Sequence, residues 1–459
     1  MSSLADPFLL AHLVNPLFFD LGGRLAPISI RDQMIRARMA VDRSLEEGLI
    51  GFRRPLLVIG AGAAGATAAM RAAESSVLAW LIDAAPAPFL RQAGCRTRWI
   101  DPTQYDWPVE HWQVGRYPWQ LPPMPLPWVK RHANLTALAW SVALKRARRR
   151  HGRHLRVLFH TFLARQLLIR GTNTLRVMLG RHGKLLAADV GMVLSCVGAG
   201  TEKSAHGSYT GFDFWSTDPF QHLGPDDKVL ISGGGDGALQ DYLRVVTRQS
   251  AAADIYSSLA IPPAMERSLQ SAEDQATRLY TWGAGPRHDH EPLRVLHESH
   301  AKLVEKLLPG PGSYPPDADL LDALKKLTSR TPDTVTLMYP CNHFSRCYGL
   351  NRFLVLLLAT YLSRYKGRAT LLPERSLAQV AGVGHRCANS PVGCHGQGHT
   401  IIPELHSDCR TGKGPAVSPL PGDYTVVIVR HGINPPPPLV AGTRQIAQTR
   451  QILPYHVSP

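Results

Sequence analysis

The sequence predicts an α/β protein built around two parallel sheets, on three observations. Two glycine-rich turns, at 60–65 and 233–238, each follow a short apolar run and precede a helical pattern. Strands that alternate with helices in this way are typical of parallel sheets with crossover helices. The chain has 459 residues, of which 44% are hydrophobic and 19% charged, so it is long enough for two or three domains with buried cores.

The first glycine turn has every part of a dinucleotide site. Gly60 makes the tight turn, Gly62 lets the backbone approach a pyrophosphate, and Gly65 lets the following helix pack closely on the strand. A second apolar run, 77–82, ends at Asp83, where the motif places a carboxylate that accepts a hydrogen bond from the ribose hydroxyls. A glycine-rich turn in an α/β domain that binds no nucleotide is the alternative interpretation.

The second glycine turn repeats the pattern less completely. Gly233, Gly235 and Ala238 take the same three positions, with alanine in place of the third glycine. We expect the next strand at 253–256, and its end carries the serines 257–258 rather than an acid. Since an acid there would repel a 2′-phosphate, its absence permits NADPH as well as NADH. A decayed repeat that no longer binds a dinucleotide is the alternative.

In this order and spacing, the two turns resemble those of the two-dinucleotide-binding-domain flavoproteins, which include thioredoxin reductase-like enzymes and flavin-dependent monooxygenases. In that superfamily the first turn binds FAD, the second binds NAD(P)H, and a strand that ends near an Ala-Thr-Gly triplet lies between them. Residues 190–200 are similar to that strand, with Cys196-Val197-Gly198 in place of the triplet. The resemblance implies two Rossmann-like domains, the first discontinuous in sequence, and hydride transfer from nicotinamide to flavin.

Two departures from the superfamily pattern bear on function. The chain has no Cys-x-x-Cys, which excludes the dithiol chemistry of thioredoxin reductase-like members. The C-terminal Gly-Asp signature, which in many members brings a helix N-terminus to the flavin, has no counterpart after residue 365. The main hypothesis is therefore an FAD-dependent NAD(P)H oxidoreductase, monooxygenase-like or a simple reductase. The alternative is a catalytically degenerate FAD/NAD(P)-binding sensor or regulatory protein.

The resemblance also implies a domain order. Residues 1–54 are an N-terminal extension with a helical pattern from 30 to 49, and residues 55–222 are the first part of the FAD-binding domain. Residues 223–365 form the NAD(P)-binding domain with a helical insertion. Residues 366–459 return to the FAD-binding domain and end in a C-terminal tail. Within these ranges we expect helices at 262–327 and 351–365, a strand at 334–339, and a late strand of the first domain at 426–429.

The loop after Asp83 is the candidate for flavin or substrate contacts. Its aromatic and cationic residues Arg98, Trp99, Tyr105 and Trp107 suit a planar, anionic cofactor or substrate through stacking and bidentate contacts. A tryptophan-rich surface lid, stabilised by its own packing, explains the composition equally well. No catalytic acid or base can be assigned, because such an assignment needs geometry.

The formal charge of +16 raises the question of an anionic partner. The basic run 145–156 ends a predicted helix, where cations are also favoured by the helix dipole. No nucleic-acid-binding module accompanies it, so a solvated helix end is the preferred interpretation and a nucleic-acid partner is not expected. The partner we expect is a small-molecule substrate, and the oligomeric state stays open.

The remaining sequence features concern the cellular location of the protein and whether it binds a metal. No apolar run is long enough to cross a bilayer, and 353–362 reads as a buried helix. The first residues lack a signal-peptide pattern and the seven cysteines show no framework spacing, so a cytoplasmic location is expected. The Cys/His cluster at 385–409 matches no zinc module, and a loop without metal is the preferred interpretation over a metal site.

Overall fold

The structure is a computed structural model, and it describes residues 6–22, 29–102, 104, 107–108, 124–169, 172–279, 290–310, 312–381, 398–406, 415–434 and 439. The helices are α1 Pro7–His12, α2 Ile30–Glu46, α3 Ala63–Glu74, α4 Leu90–Ala93, α5 Ala133–Arg150, α6 Asp236–Thr247, α7 Ala252–Ser257, α8 Pro263–Leu279, α9 His290–Leu307, α10 Ala318–Leu327 and α11 Gly349–Lys366.

The strands of the same residues are, in chain order, β1 Leu13–Asn15, β2 Phe18–Asp20, β3 Leu56–Ile59, β4 Ala79–Ile82, β5 Trp99–Ile100, β6 Arg131–His132, β7 Leu155–Leu158, β8 Thr161–Leu168, β9 Leu175–Arg181, β10 Lys184–Val190, β11 Met192–Ser195, β12 Thr201–Glu202, β13 Ala205–His206, β14 Tyr209–Thr210, β15 Lys228–Ser232, β16 Thr334–Met338, β17 Leu371–Leu372, β18 Arg375–Ala381, β19 Thr400–Leu405, β20 Val426–Val429 and β21 Ile433–Asn434. They confirm an α/β protein, and its two largest sheets are parallel apart from the edge strand β1.

The first sheet has the strand order β1-β2-β11-β3-β4-β7. All its neighbours pair in parallel except β1, which runs antiparallel to β2. Strands β3 and β11 are buried along their whole length, which explains their continuous apolar sequence. One face of the sheet carries α2, α3 and α5, while the antiparallel sheet β8-β9-β10 covers the other.

The N-terminal residues are part of this first sheet rather than an extension outside it. Strand β2 pairs in parallel with β11, so residues 18–20 join the sheet next to the strand that precedes Cys196. The predicted helix is confirmed as α2, which begins with a capping box in which the Ser29 hydroxyl accepts from the Asp32 NH at 2.9 Å. The alanine-rich face of α3 lets α2 pack closely against it.

The second sheet has the order β17-β16-β15-β20, and all of its strands are parallel. The strand expected at 253–256 is wrong, because these residues form α7. A short apolar run does not distinguish a strand from a buried helix, and here the residues pack as a helix turn in the second core. The strand beside β15 is β16, which follows the helices α8, α9 and α10 and confirms the strand predicted there.

The C-terminal part of the chain also differs from the prediction. Strand β20, expected in the first domain, pairs in parallel with β15, and β17 pairs with β16. Of the strands that the structure describes after residue 366, none joins the first sheet. The expected return to the first domain is therefore wrong for these strands, since parallel partners are set by tertiary packing that an apolar run of four residues does not encode. Of the helices described, none is long and apolar enough to cross a membrane.

Candidate dinucleotide-binding sites

The first glycine turn, between β3 and α3, requires glycine at its first and third positions. Gly60 has a φ of +102°, and a Cβ there would lie 2.5 Å from the Cys196 carbonyl oxygen. A Cβ on Gly65 would lie 1.8 Å from the Gly60 carbonyl oxygen, which no backbone adjustment of ordinary size relieves. These two glycines therefore hold the turn, the helix and β11 in close contact.

Gly62, between them, is different because a Cβ there would meet nothing within 4 Å. It is the N-cap of α3, and no side chain caps the first turn of this helix. The first NH groups of a helix have no partner within the helix and carry the positive end of its dipole. An open cradle of backbone donors with no side chain in the way is what a pyrophosphate requires, so the residues fit such a group.

Asp83 follows β4 and lies directly beside this turn. One of its carboxylate oxygens accepts from the Ala61 NH at 2.5 Å, and the other accepts from the Ala85 NH at 2.8 Å. These bonds fix the carboxylate at the carboxyl end of the strand next to β3. A carboxylate has about four acceptor positions, so the two backbone donors leave capacity for ribose hydroxyls.

Cys196, at the end of β11, forms the opposite wall of the turn. Its NH donates to the Ile59 carbonyl at 2.7 Å, and its side chain is buried against α3. Burial raises the pKa of the Cys196 thiol, and the neighbouring charge of Asp20 raises it further. A thiol that stays protonated is a poor nucleophile, so Cys196 is a packing residue.

The second glycine turn, between β15 and α6, has the same construction. Gly233 has a φ of +143°, and a Cβ there would lie 2.3 Å from the Arg430 carbonyl oxygen. Gly235 is the N-cap of α6 and has no side-chain cap, and a Cβ on it would stay 3.9 Å from its nearest neighbour. Ala238 is fully buried, as the third position of the motif requires.

Asp236, the first residue of α6, adds a carboxylate that the motif did not predict. One of its oxygens accepts from the Tyr348 NH and from the Asn351 amide, both at 2.9 Å, so it joins the starts of α6 and α11. Burial raises its pKa to about 6. Its role depends on which helix packs beside α6, and no signal in the local sequence gives that neighbour.

The structure also changes which residues lie at the adenosine end of the second site. The serines 257–258 follow α7 and do not end a strand beside β15. The corresponding strand is β16, and residues 339–342 after it contain no acid. The sequence predicts the strand end that could carry a ribose-binding acid after residue 256, whereas the structure places the equivalent strand end after β16. No acid follows β16 either, so the site is compatible with both NADH and NADPH.

Arg98 of the candidate flavin loop is buried in an ion-pair network. Its guanidinium lies 2.7 Å from the Asp241 carboxylate on α6 and stacks 3.7 Å above the ring of Phe214. Asp241 also accepts from Arg430 at 2.8 Å, just after β20. Burial opposes the ionisation of Asp218 nearby, but Arg244 and Arg98 hold the pKa of Asp218 below its ordinary value. Arg98 thus connects the first-sheet loop to the second sheet.

The aromatic residues of the same loop are likewise in contact with protein side chains. Trp107 is buried and stacks on Phe353 of α11 with ring centroids 5.3 Å apart. Trp99 packs on His132 at 4.4 Å, next to the start of α5. Tyr105 lies outside the described residues. Arg98, Trp99 and Trp107 therefore each contact protein side chains, on α6, β6 and α11 respectively.

Sequence reasoning missed a buried polar cluster on the helical insertion. His300 is fully buried, with Nε2 3.1 Å from the Glu273 carboxylate, and burial lowers its pKa. His297, one helical turn earlier on α9, has its pKa lowered to about 3 by burial and by Arg352. Histidines three residues apart on an amphipathic helix were the available signal.

The Cys/His cluster expected as a loop lies mostly outside the described residues, with His399 and His406 among the described ones. In the part of the chain that the structure describes, no group of three or more metal-ligand side chains could hold a metal ion. Cys341 is disulfide-bonded, although the cysteines show no framework spacing in the sequence, whereas Cys95, Cys196 and Cys347 are free thiols. The last turns of α5 expose most of the basic run, as expected of a solvated helix end.

No known protein-family model matches the chain, and no curated protein matches it either. Solved structures do. The thioredoxin reductase of Lactococcus lactis is 10% identical, with 83% of this chain and 78% of that one covered and a TM-score of 0.37. The bacillithiol disulfide reductase of Staphylococcus aureus is 11% identical, with coverages of 84% and 77% and a TM-score of 0.37. The ornithine N-hydroxylase of Kutzneria sp. 744 is 11% identical, with coverages of 83% and 80% and a TM-score of 0.36. With TM-scores below 0.5, the assignment of a function depends on the residues of this chain.

Proposed function

We propose that the protein is an FAD-dependent oxidoreductase that takes hydride from NADH or NADPH. The observation that carries this proposal is the geometry of the first turn. Backbone atoms leave no room for a side chain at Gly60 or Gly65, whereas the space around Gly62, at an uncapped helix N-terminus, is open. A second turn of the same construction, with Gly235 at the uncapped start of α6, supports a second dinucleotide. Bound FAD would supply the hydride-accepting ring, which no side chain provides.

The residues of the first site take distinct roles in this proposal. The backbone at Gly62 and the start of α3 bind the pyrophosphate, and Asp83 orients the ribose of the adenosine half. Gly60 and Gly65 act indirectly, because they keep the turn close to β11 and aim the helix NH groups at the ligand. Gly233, Gly235 and Ala238 take the corresponding roles at the nicotinamide site.

The acceptor chemistry we favour is that of a monooxygenase or a simple reductase. Disulfide reduction would need a reactive thiolate, and among the free thiols in the described residues burial raises the pKa of Cys196 and of Cys347, the latter to about 12. The chain also lacks a Cys-x-x-Cys pair. A small-molecule electron acceptor remains the expected substrate.

A second candidate function, a degenerate dinucleotide-binding sensor, is favoured by Asp236. Its carboxylate lies at the start of α6, where the phosphates of a nicotinamide dinucleotide would bind, and it is ionised above its pKa of about 6. A fixed negative charge there opposes binding of a second anion.

One experiment separates the two functions. The purified protein is loaded with FAD, its visible spectrum is recorded, and NADH or NADPH is added without oxygen. Bleaching of the flavin band supports the oxidoreductase. A flavin band that persists at saturating nicotinamide supports the sensor, and a protein that binds no FAD contradicts both.

A further inference from the structure

The N-terminal strand β2 ends level with the first glycine turn. In the first sheet, Ser195 on β11 pairs with Asp20 on β2 and, on its other side, with Ile59 on β3. Asp20 is therefore level with Ile59, the residue that precedes Gly60, and two strands away from it. The pairing continues one residue further, where the Leu21 NH donates to the Ser195 carbonyl at 2.9 Å. All three strands run in parallel, so their carboxyl ends share one edge of the sheet.

The direction of a bound dinucleotide along this edge follows from Asp83. Asp83 follows β4, on one side of β3, and it marks the adenosine half. With the pyrophosphate at Gly62, the other half must extend to the opposite side, over the ends of β11 and β2. Neighbouring strands are about 4.8 Å apart, so the end of β2 lies roughly 10 Å from β3, within reach of a dinucleotide. Proteins with open α/β sheets bind ligands at the carboxyl edge of the sheet, at the point where the strand order reverses.

The end of β2 is also built for close approach of the backbone. A Cβ on Gly22 would lie 2.9 Å from the Asp20 carboxylate and 3.2 Å from the Gly198 carbonyl oxygen. The Asp20 carboxylate accepts from the Gly22 NH at 3.0 Å, and its charge reaches the thiol of Cys196. The segment 20–22 therefore packs directly against the strand end that walls the first glycine turn.

The helix that follows this strand leads toward the second site. Asp32, in the first turn of α2, is close enough to Asp236 for its charge to raise the pKa of that carboxyl. The start of α2 therefore lies near the start of α6, at the second glycine turn.

We propose that residues 20–22 form the wall of the first site that contacts the flavin-proximal half of FAD, with the Asp20 carboxylate and the Gly22 backbone as the polar contacts. This inference rests on the proposed function, because it takes FAD as the ligand. The resemblance implied that such an element would follow residue 365. In this chain the proposed element instead precedes the first glycine turn and lies beside β11.

Hydrogen exchange of the full-length protein with and without added FAD tests the proposal directly. We expect protection in two segments, 13–22 and the first glycine turn, and unchanged exchange in the hairpin 175–190, which covers the opposite face of the sheet. In parallel, the dissociation constant for FAD is measured by flavin fluorescence for Asp20→Ala and Asp20→Asn. The matched control is Asp189→Asn, an exposed carboxylate paired with Arg176 in that hairpin.

We expect Asp20→Ala to weaken FAD binding by about tenfold or more, with Asp20→Asn affected less and Asp189→Asn unchanged. Protection of the glycine turn without protection of 13–22, together with unchanged affinity in both Asp20 variants, would overturn the proposal while leaving the proposed function intact. Absence of protection in both segments overturns the proposed function as well.

Discussion

The guanidinium of Arg98 and the carboxylate of Asp241 are 2.7 Å apart and both are almost fully buried. Arg98 belongs to the loop after β4, while Asp241 lies on α6 beside the second glycine turn. This ion pair therefore fixes one dinucleotide-binding sheet relative to the other. Electron transfer between two bound dinucleotides needs such a fixed placement, since the reacting atoms must be held in contact.

Arg98→Ala should destabilise the protein. Asp241 keeps Arg430 at 2.8 Å but loses the 2.7 Å contact with Arg98, and Phe214 loses the guanidinium stacked on it, so we expect a loss of about 2 kcal/mol in the free energy of unfolding. Denaturant unfolding measures the loss, and Arg96→Ala, an exposed cation two residues earlier, is the control. A variant as stable as the wild type but with weakened FAD binding would instead make Arg98 a flavin contact.

Alanine at two glycines of the first turn should affect different properties: FAD affinity at Gly62 and the free energy of unfolding at Gly65. Gly62→Ala adds a methyl group where nothing lies within 4 Å, so we expect unchanged unfolding but at least about tenfold weaker FAD binding. Gly65→Ala places its methyl group on the Gly60 carbonyl and should cost about 3 kcal/mol of stability. Thermal unfolding and FAD titration of both variants check this. Unaltered FAD affinity in Gly62→Ala would exclude the turn as a pyrophosphate site.

Asp236→Asn should tighten NADH binding above pH 6. The wild-type carboxyl has a pKa of about 6, so it is ionised and repels the pyrophosphate at higher pH and is neutral at lower pH. The asparagine oxygen can keep both hydrogen bonds but carries no charge. We expect the NADH affinity of the wild type to fall as the pH rises from 5 to 7.5, and that of the variant to stay level. NADH is the probe because a 2′-phosphate titrates in this range itself.

Stability offers a second readout for Asp236. A carboxyl whose pKa is raised on folding stabilises the protein below its unfolded value of 3.8, and this contribution is lost as the pH rises through about 6. The unfolding free energy of the wild type should fall across that window relative to Asp236→Asn, by about 3 kcal/mol. Parallel pH profiles for the two proteins would contradict the raised pKa.

His297 should make the protein sensitive to acid. Burial lowers its pKa from 6.5 to about 3, so between these values the unfolded chain binds the proton that the folded one excludes. Stability is therefore lost as the pH falls from 6.5 toward 3, at about 1.4 kcal/mol per pH unit for this group. His297→Gln should flatten the profile by that slope, while the exposed His222→Gln controls for loss of a surface imidazole. Identical slopes in the two variants would contradict the lowered pKa of His297.

The glycine turns were predictable because their physics is local. A positive φ at Gly60 and Gly233, and the close packing at Gly65, exclude side chains, so the residue type itself carries the information. The spacing to Asp83 follows from the length of one helix and one strand. These features need no knowledge of the rest of the fold.

The errors came from features that depend on distant packing. Strand β20 reads as an apolar run of four residues, and nothing in it says that β15 is its neighbour. Strand β2 has three residues and no clear alternation, yet it completes the first sheet. The burial of Arg98 depends on Asp241, which is more than a hundred residues away, so the loop sequence alone does not predict this ion pair. The pKa of Asp236 likewise depends on α11, a helix that only the fold brings to α6.

Anaerobic reduction of the FAD-loaded protein tests whether hydride passes from the nicotinamide to a flavin bound at the first glycine turn. The protein is saturated with FAD, freed of excess cofactor, and mixed with NADH or NADPH while its visible spectrum is followed. We expect the wild-type protein to show a bound flavin band that bleaches, and the Gly62→Ala variant to lose the bound flavin. A protein that retains no FAD, a flavin band that persists at saturating nicotinamide, or a Gly62→Ala variant that retains FAD as tightly as the wild type would contradict the proposed oxidoreductase.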